Sequence, residues 1–344
     1  MRFLARYGVA LLAATAFFPA ASTVEAAEKV VVYCSPQIEY CQIVAAEFEK
    51  ATGIKVSMIR KSTGETFAQI KAERKNPKGD LWWGGTGDPH LQAAEEDLTV
   101  PYVSPIRSQL LDWALRPAKL SGDRTIGIYA GALGFGYNSD ILSKKGLPVP
   151  KCWKDLLDPV YKGEIQMANP NSSGTAYTAL ATIVQLFGEN EGFEYMKGLH
   201  RNISQYTKSG SAPIKAAGRG ENTIGITFLA DAVNIAAKGF PIKAVSPCEG
   251  TGYEVGGMSI IKGARNMANA KKFYDWALTA EAMELGAKVK QFETPANKNA
   301  AVPAGAPKLE DIKLIDYDFK KYGSSAERKR LLAKWDNEVK SLPK

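Results

Sequence analysis

Three turns rich in hydroxyls and glycine concentrate this chain's hydrogen-bonding capacity: Ser62-Thr63-Gly64-Glu65, Asn169-Pro170-Asn171-Ser172-Ser173-Gly174-Thr175, and Ser209-Gly210-Ser211. The second follows a short apolar run, Glu164 to Ala168. After it, Ala176, Ala179, Leu180, Ile183, Val184 and Phe187 recur at helical spacing, so a strand leads into a helix that begins near Gly174. Such a turn gathers unpaired backbone N–H groups, hydroxyls and the positive end of a helix dipole at one point, which suits an anion. Ser172 or Ser173 would serve equally as a plain helix cap. Ser62-Thr63-Gly64 repeats the arrangement about a hundred residues upstream. Ser209 and Ser211 precede a third helix and are either caps or a further set of donors.

Acceptors are present as well. Asp231 falls near the start of a helix and Glu254 lies in the loop Cys248-Glu249-Gly250-Thr251-Gly252-Tyr253-Glu254, where the glycines permit a crossover or hinge. Either carboxylate can hold paired hydroxyls, and Asp231 can also complement the helix dipole. Trp82 and Trp83 offer a stacking wall, or one of them belongs to the core.

Catalytic chemistry is poorly supplied. His90 and His200 are the only histidines, and no G-x-S-x-G elbow, P-loop or complete G-x-G-x-x-G occurs. The pair Glu95-Glu96 reads as a solvated helix face. The four cysteines match no zinc spacing, so no metal and no cofactor is expected. Their even number suits disulfides in an oxidising compartment; of three pairings, Cys34–Cys41 and Cys152–Cys248 are expected.

Met1 to Ala26 has the pattern of a secretory signal: Arg2 and Arg6, an apolar stretch from Val9 to Phe18, and Val24-Glu25-Ala26 at the cleavage point. The apolar stretch is shorter than the roughly 20 residues a spanning helix needs. The mature protein is therefore expected to be soluble and exported, with cleavage near Ala26. Losing Arg2, Arg6 and Glu25 changes the formal net charge from +8 to +7. Basic and acidic residues are interspersed apart from Arg328-Lys329-Arg330, and export also speaks against nucleic acid as a partner.

The elements that must position these turns alternate. KVVVYC (Lys29 to Cys34) is a buried-type strand, a helix from Cys41 to Thr52 ends at Gly53, and strand and helix continue to alternate as far as Val245. Thr125 to Tyr137 reads as two apolar runs joined through Gly131. The pattern predicts an α/β protein with mostly parallel sheets, too long for one core. Ligands of open α/β sheets bind at the carboxyl ends of strands, where these turns fall.

Run together, Val31-Val32-Tyr33-Cys34-Ser35-Pro36, Ser62 to Glu65, Asp80-Leu81-Trp82-Trp83-Gly84-Gly85, Gly134 to Asn138, Asn169 to Thr175 and Cys248 to Ile261 resemble the substrate-binding proteins of ABC importers, specifically the ferric-iron-type two-lobed periplasmic family. The resemblance covers essentially the whole mature chain. It implies two Rossmann-like α/β lobes joined by a hinge, the type II periplasmic binding protein fold. The lobes are expected over residues 27–130 with 255–305, and 131–254 with 306–344. Iron binders of this group commonly use an adjacent tyrosine pair, which is absent here. The chain looks most like the hexose-phosphate branch, with Asp231 and Glu254 matching and Ala230 standing where that branch carries histidine.

The resemblance thus implies a periplasmic binding protein, a monomer rather than an enzyme, that delivers a sugar phosphate, phosphonate or related organophosphate to an inner-membrane permease with its ATPase. Ser35, Thr63, Gly64, Ser173, Gly174 and Thr175 are the expected phosphate donors. Asp231 and Glu254 would hold the remainder, with Ser209 and Ser211 in support. A ferric-iron carrier of the same fold and a periplasmic phosphatase are the alternatives.

Overall fold

The computed structural model describes residues 28–344, so the signal segment lies outside the described residues. The first lobe opens with β1 (Lys29–Cys34), α1 (Ile38–Thr52), β2 (Lys55–Arg60), α2 (Thr63–Ala72), β3 (Leu81–Thr86), α3 (Gly87–Glu95), β4 (Thr99–Val100) and α4 (Asp112–Ser121). A long strand, β5 (Ile126–Asn138), then carries the chain across to α5 (Ser139–Lys144), β6 (Ile165–Ala168), α6 (Gly174–Phe187), α7 (Glu189–Asn202), β7 (Ile203–Thr207) and α8 (Ala212–Arg219). That lobe continues with β8 (Ile224–Phe228), α9 (Leu229–Ala237) and β9 (Ile242–Val245). The return strand β10 (Tyr253–Ile261) leads to α10 (Met267–Ala277), α11 (Ala280–Lys288) and β11 (Thr294–Pro295), and α12 (Phe319–Tyr322) and α13 (Ser325–Trp335) follow.

Strand order is β2-β1-β3-β10-β5-β8-β6-β7. β1 pairs in parallel with β2 and β3, and β6 pairs in parallel with β7 and β8. Instead of two apolar runs broken at Gly131, one continuous strand spans both lobes. Residues Ile126 to Ala132 of β5 face β10, whereas Leu133 to Tyr137 face β8. Gly131 stays extended because it is registered against Glu254, so pairing overrides its local freedom. The helix α4 falls in a stretch to which the sequence reading assigns no element, and it carries Pro117 in its interior. Burial of Ala114, Pro117 and Ala118 on one face holds it in place.

Each lobe has its own core. Val32, Phe48, Ile128, Met258 and Phe273 belong to one, and Phe135, Trp153, Tyr177, Leu180 and Trp335 to the other. Disulfides join Cys34 to Cys41 and Cys152 to Cys248, the pairing expected from the sequence. The first staples the β1-to-α1 turn, so Ser35, Pro36 and Gln37 project from a closed loop. Trp82 and Trp83 are both buried, so neither forms an open wall.

Candidate functional site

The loops after β1, β2 and β3 meet those after β6, β7 and β8 across a narrow cleft. Its lining includes Ser35, Gln37, Arg60, Ser62, Thr63, Gly85 and Thr86 from the first lobe. Thr175, Ser209, Gly210, Ser211, Phe228 and Asp231 come from the second, with Tyr129, Glu254 and Glu293 at the crossover. The cavity holds about 50 Å³, well below the roughly 300–1,000 Å³ of ordinary small-molecule sites. The facing loops of the two lobes are in direct hydrogen-bond contact across it.

Seven of the ten candidate residues line this cavity: Ser35, Thr63, Thr175, Ser209, Ser211, Asp231 and Glu254. The other three sit beside it with different tasks. The Gly64 N–H donates to the Ser172 carbonyl of the opposite lobe at 3.1 Å. Ser173 Oγ accepts from the Ala176 N–H at 3.3 Å, which is the plain cap of α6. Gly174 packs against Thr86 of the first lobe so closely that a Cβ would lie 2.0 Å from Thr86 Oγ1.

One end of the cleft is built to donate. Arg60, the last residue of β2, hydrogen-bonds through Nε to the Pro36 carbonyl at 3.0 Å. Its Nη2 reaches the Ser35 carbonyl at 3.5 Å and Ser209 Oγ of the other lobe at 3.4 Å. Its Nη1 makes no hydrogen bond among the described residues. Burial lowers the guanidinium from its ordinary value, with Asp231 and Glu65 opposing that shift; an arginine remains charged regardless. Ser35 Oγ accepts the Trp82 indole N–H at 2.9 Å, leaving its own proton for Thr66 or a ligand. At Gly85 the backbone takes φ +86°, and a Cβ there would meet Thr63 Oγ1 at 2.4 Å. Only glycine lets these two loops converge.

The other end is acidic. Asp231 accepts from Gln37 Nε2 at 2.6 Å across the lobes and from Thr227 Oγ1 at 3.0 Å. Lys215 Nζ donates to Gln37 Oε1 at 2.5 Å and backs this bridge. Burial raises the Asp231 carboxyl, partly offset by those donors. Glu254, 7% exposed, is pushed well above the usual carboxylate range by burial and then by Glu293, Asp231 and Asp88. Burial, with Asp231 nearby, pushes Glu293 up to about 8.

Glu293 therefore binds a proton more readily in the folded protein than in the unfolded chain, where a glutamate titrates near ~4.3. The stability that its protonation contributes is complete below that value and is lost as pH rises through about 8. We expect the Tm of Glu293→Gln minus that of the wild type to increase by about 3 °C or more between pH 5 and pH 8.5 in ligand-free protein, the shift roughly 2 kcal/mol produces at this size. A difference that stays flat or narrows over that range would show that the site does not hold Glu293 as described.

Neither histidine reaches the cleft. His90 stacks on Trp82 and meets Ser259 Oγ and the Gly84 carbonyl, and burial lowers it to about 3. His200 meets the Tyr206 hydroxyl and the Leu342 carbonyl. Tyr129 is the one tyrosine in the lining. Its hydroxyl accepts the Gly85 N–H at 2.7 Å, and burial with the neighbouring acids keeps it protonated. Among the described residues, the one cluster of three ligand-type side chains is Cys152, Cys248 and Glu249, whose sulfurs are already joined. Ala230 is buried in α9 and does not line the cavity.

Arg60, Gln37, Tyr129 and Glu293 escaped the sequence pattern. Arg60 had a readable signal, since it ends a strand immediately before a hydroxyl-rich turn. Glu293 had none: it arrives from the segment between α11 and β11.

Residues 93–321 match the family model described as bacterial extracellular solute-binding protein. An uncharacterized protein of Haemophilus influenzae is 49% identical over 314 residues, which is 91% of this chain and 91% of that one. The periplasmic binding protein AfuA from Actinobacillus pleuropneumoniae, solved with exogenous fructose-6-phosphate bound, is 50% identical. It superposes with a TM-score of 0.90 over 92% of this chain and 99% of its own. A periplasmic protein of Salmonella typhimurium named as a candidate 2-aminoethylphosphonate binder is 25% identical over 274 residues, 75% of this chain and 76% of that one.

Proposed function

Because the chain belongs to the bacterial extracellular solute-binding protein family, we propose that it captures a small phosphorylated organic molecule between its lobes and hands it to an inner-membrane ABC permease with its ATPase. It acts in the periplasm as a monomer, and no bond is made or broken. The observation that carries this reading is the donor end of the cleft: Arg60 together with hydroxyls and amides from both lobes, converging on one point. Helix ends, hydroxyls and a planar guanidinium are the donors a phosphate or phosphonate needs. Opposite them, Asp231 and Glu254 accept hydrogen bonds from the rest of the molecule, and an analogue without matching donors leaves buried acceptors unpaired. A sugar phosphate bound by the AfuA relative supports the class. Iron carriage lacks support, since Tyr129 is the single tyrosine of the lining and no adjacent tyrosine pair occurs in the chain.

The test is a melting-temperature panel on ligand-stripped protein with fructose 6-phosphate, other sugar phosphates, alkylphosphonates, inorganic phosphate and ferric citrate. A true ligand at 100 times its Kd stabilises by about 2.7 kcal/mol. If ferric citrate alone raises the Tm, the phosphate reading is wrong.

A further inference from the structure

Resting on the phosphate reading above, we propose that Glu254 and Glu293 form a cation subsite at the far end of the cleft, so that the preferred ligand carries a protonated amine as well as its phosphoryl group. Both carboxylates line the cavity. Among the described residues, no side chain or backbone donor hydrogen-bonds to the Glu254 carboxylate. Glu293 meets only its own backbone N–H, and its Oε2 is buried without a partner. Two acids are thus kept in the cleft with nothing among the described residues to pair them, whereas a buried acceptor is ordinarily satisfied.

The groups around them do not fill that role. Asp231 and Asp88 are further acids acting on Glu254, and the Tyr129 hydroxyl, which both glutamates help to keep protonated, is bonded to the Gly85 N–H. Arg60 is turned toward the Ser35 and Pro36 carbonyls, and the Lys215 ammonium is engaged by Gln37. Neither cation hydrogen-bonds to Glu254 or Glu293. With no cation bonded to them, the two acids avoid buried charge by keeping protons. Sugar hydroxyls can donate to the two glutamates, but they bring no positive charge that would let the acids ionise. An ammonium group does both, with three donors directed at two carboxylates. The cleft then matches its ligand as a dipole: guanidinium and neutral donors on the anion, paired carboxylates on the cation.

The experiment is calorimetric titration of the mature protein with two matched pairs, glucosamine 6-phosphate against glucose 6-phosphate and 2-aminoethylphosphonate against ethylphosphonate. In at least one pair the amine should bind tenfold tighter or more, and in the Glu254→Gln/Glu293→Gln double variant the ratio should fall toward one. On the wild type alone, titration in buffers of different ionisation enthalpy should show protons released when the amine binds at pH 7, because an incoming ammonium expels protons from the acids. Equal or tighter binding of the neutral member in both pairs would overturn the subsite, as would proton uptake with the amine or a preference that survives in the double variant. If none of the four compounds binds, and inorganic phosphate does not either, the phosphate reading falls and takes this subsite with it.

Discussion

Replacing Gly64 by alanine is expected to weaken ligand binding by about thirtyfold while leaving the unliganded protein as stable as the wild type. The added Cβ would lie 2.6 Å from the Asn171 carbonyl oxygen and 2.8 Å from that of Ser172, both backbone atoms of the facing lobe. A backbone has little freedom to yield, and overpacking of this kind costs typically 1–3 kcal/mol. About 2 kcal/mol corresponds to that thirtyfold change in Kd. The penalty arises only when the lobes meet. Within its own lobe Gly64 is the second residue of α2, where alanine is the better helix former. Calorimetry should therefore show the affinity loss, small-angle scattering should show an incomplete decrease in radius on ligand addition, and the Tm without ligand should hold or rise. Wild-type affinity and full compaction in Gly64→Ala would mean that the Gly64–Ser172 contact is not required for closure.

The second large effect is expected at Arg60. Its guanidinium is the one cationic group in the cavity lining, and its Nη2 already touches Ser209 of the other lobe. Arg60→Met should cost about 2 kcal/mol of phosphate binding, the usual scale for a hydrogen bond to a charged group, or roughly a thirtyfold rise in Kd. Arg60→Lys should recover part of this, because an ammonium restores the charge but not the planar fork. Since Arg60 also holds the Pro36 carbonyl, the comparison needs variants with matching far-ultraviolet circular dichroism. Affinity for the same phosphorylated ligand unchanged in Arg60→Met would remove the donor end of the cleft as its anion site.

These two positions show where local sequence and tertiary structure part company. Ser62-Thr63-Gly64 is legible as a turn that opens a helix, and Glu65 does reach back to the Ser62 N–H at 3.3 Å. Yet the Gly64 amide, an available donor when the turn stands alone, is consumed by Ser172 across the cleft. Ser173 likewise caps its own helix while its neighbour Thr175 lines the cavity. Helical direction separates them: residues two apart near a helix start point different ways, and only the packing of the opposite lobe decides which of them faces the ligand.

What the chain determines by itself is what neighbours along it can enforce. Apolar runs of strand length alternate with helical periodicity, hydroxyl-rich turns stand at the strand ends, and the cysteines of the β1-to-α1 turn are close enough to pair. Those features rest on hydrogen bonds and burial within a few residues. Tertiary structure alone decided which residues from distant segments complete the site. Gln37 meets Asp231 over a separation of 194 residues, and Lys215 meets Gln37 over 178. Glu293 approaches Glu254 only because β11 and β10 both pair with β5. No spacing in the sequence encodes such meetings. They follow from the register of strands that cross between two cores, and so the turns, Asp231 and Glu254 could be read in advance while Gln37, Lys215 and Glu293 could not.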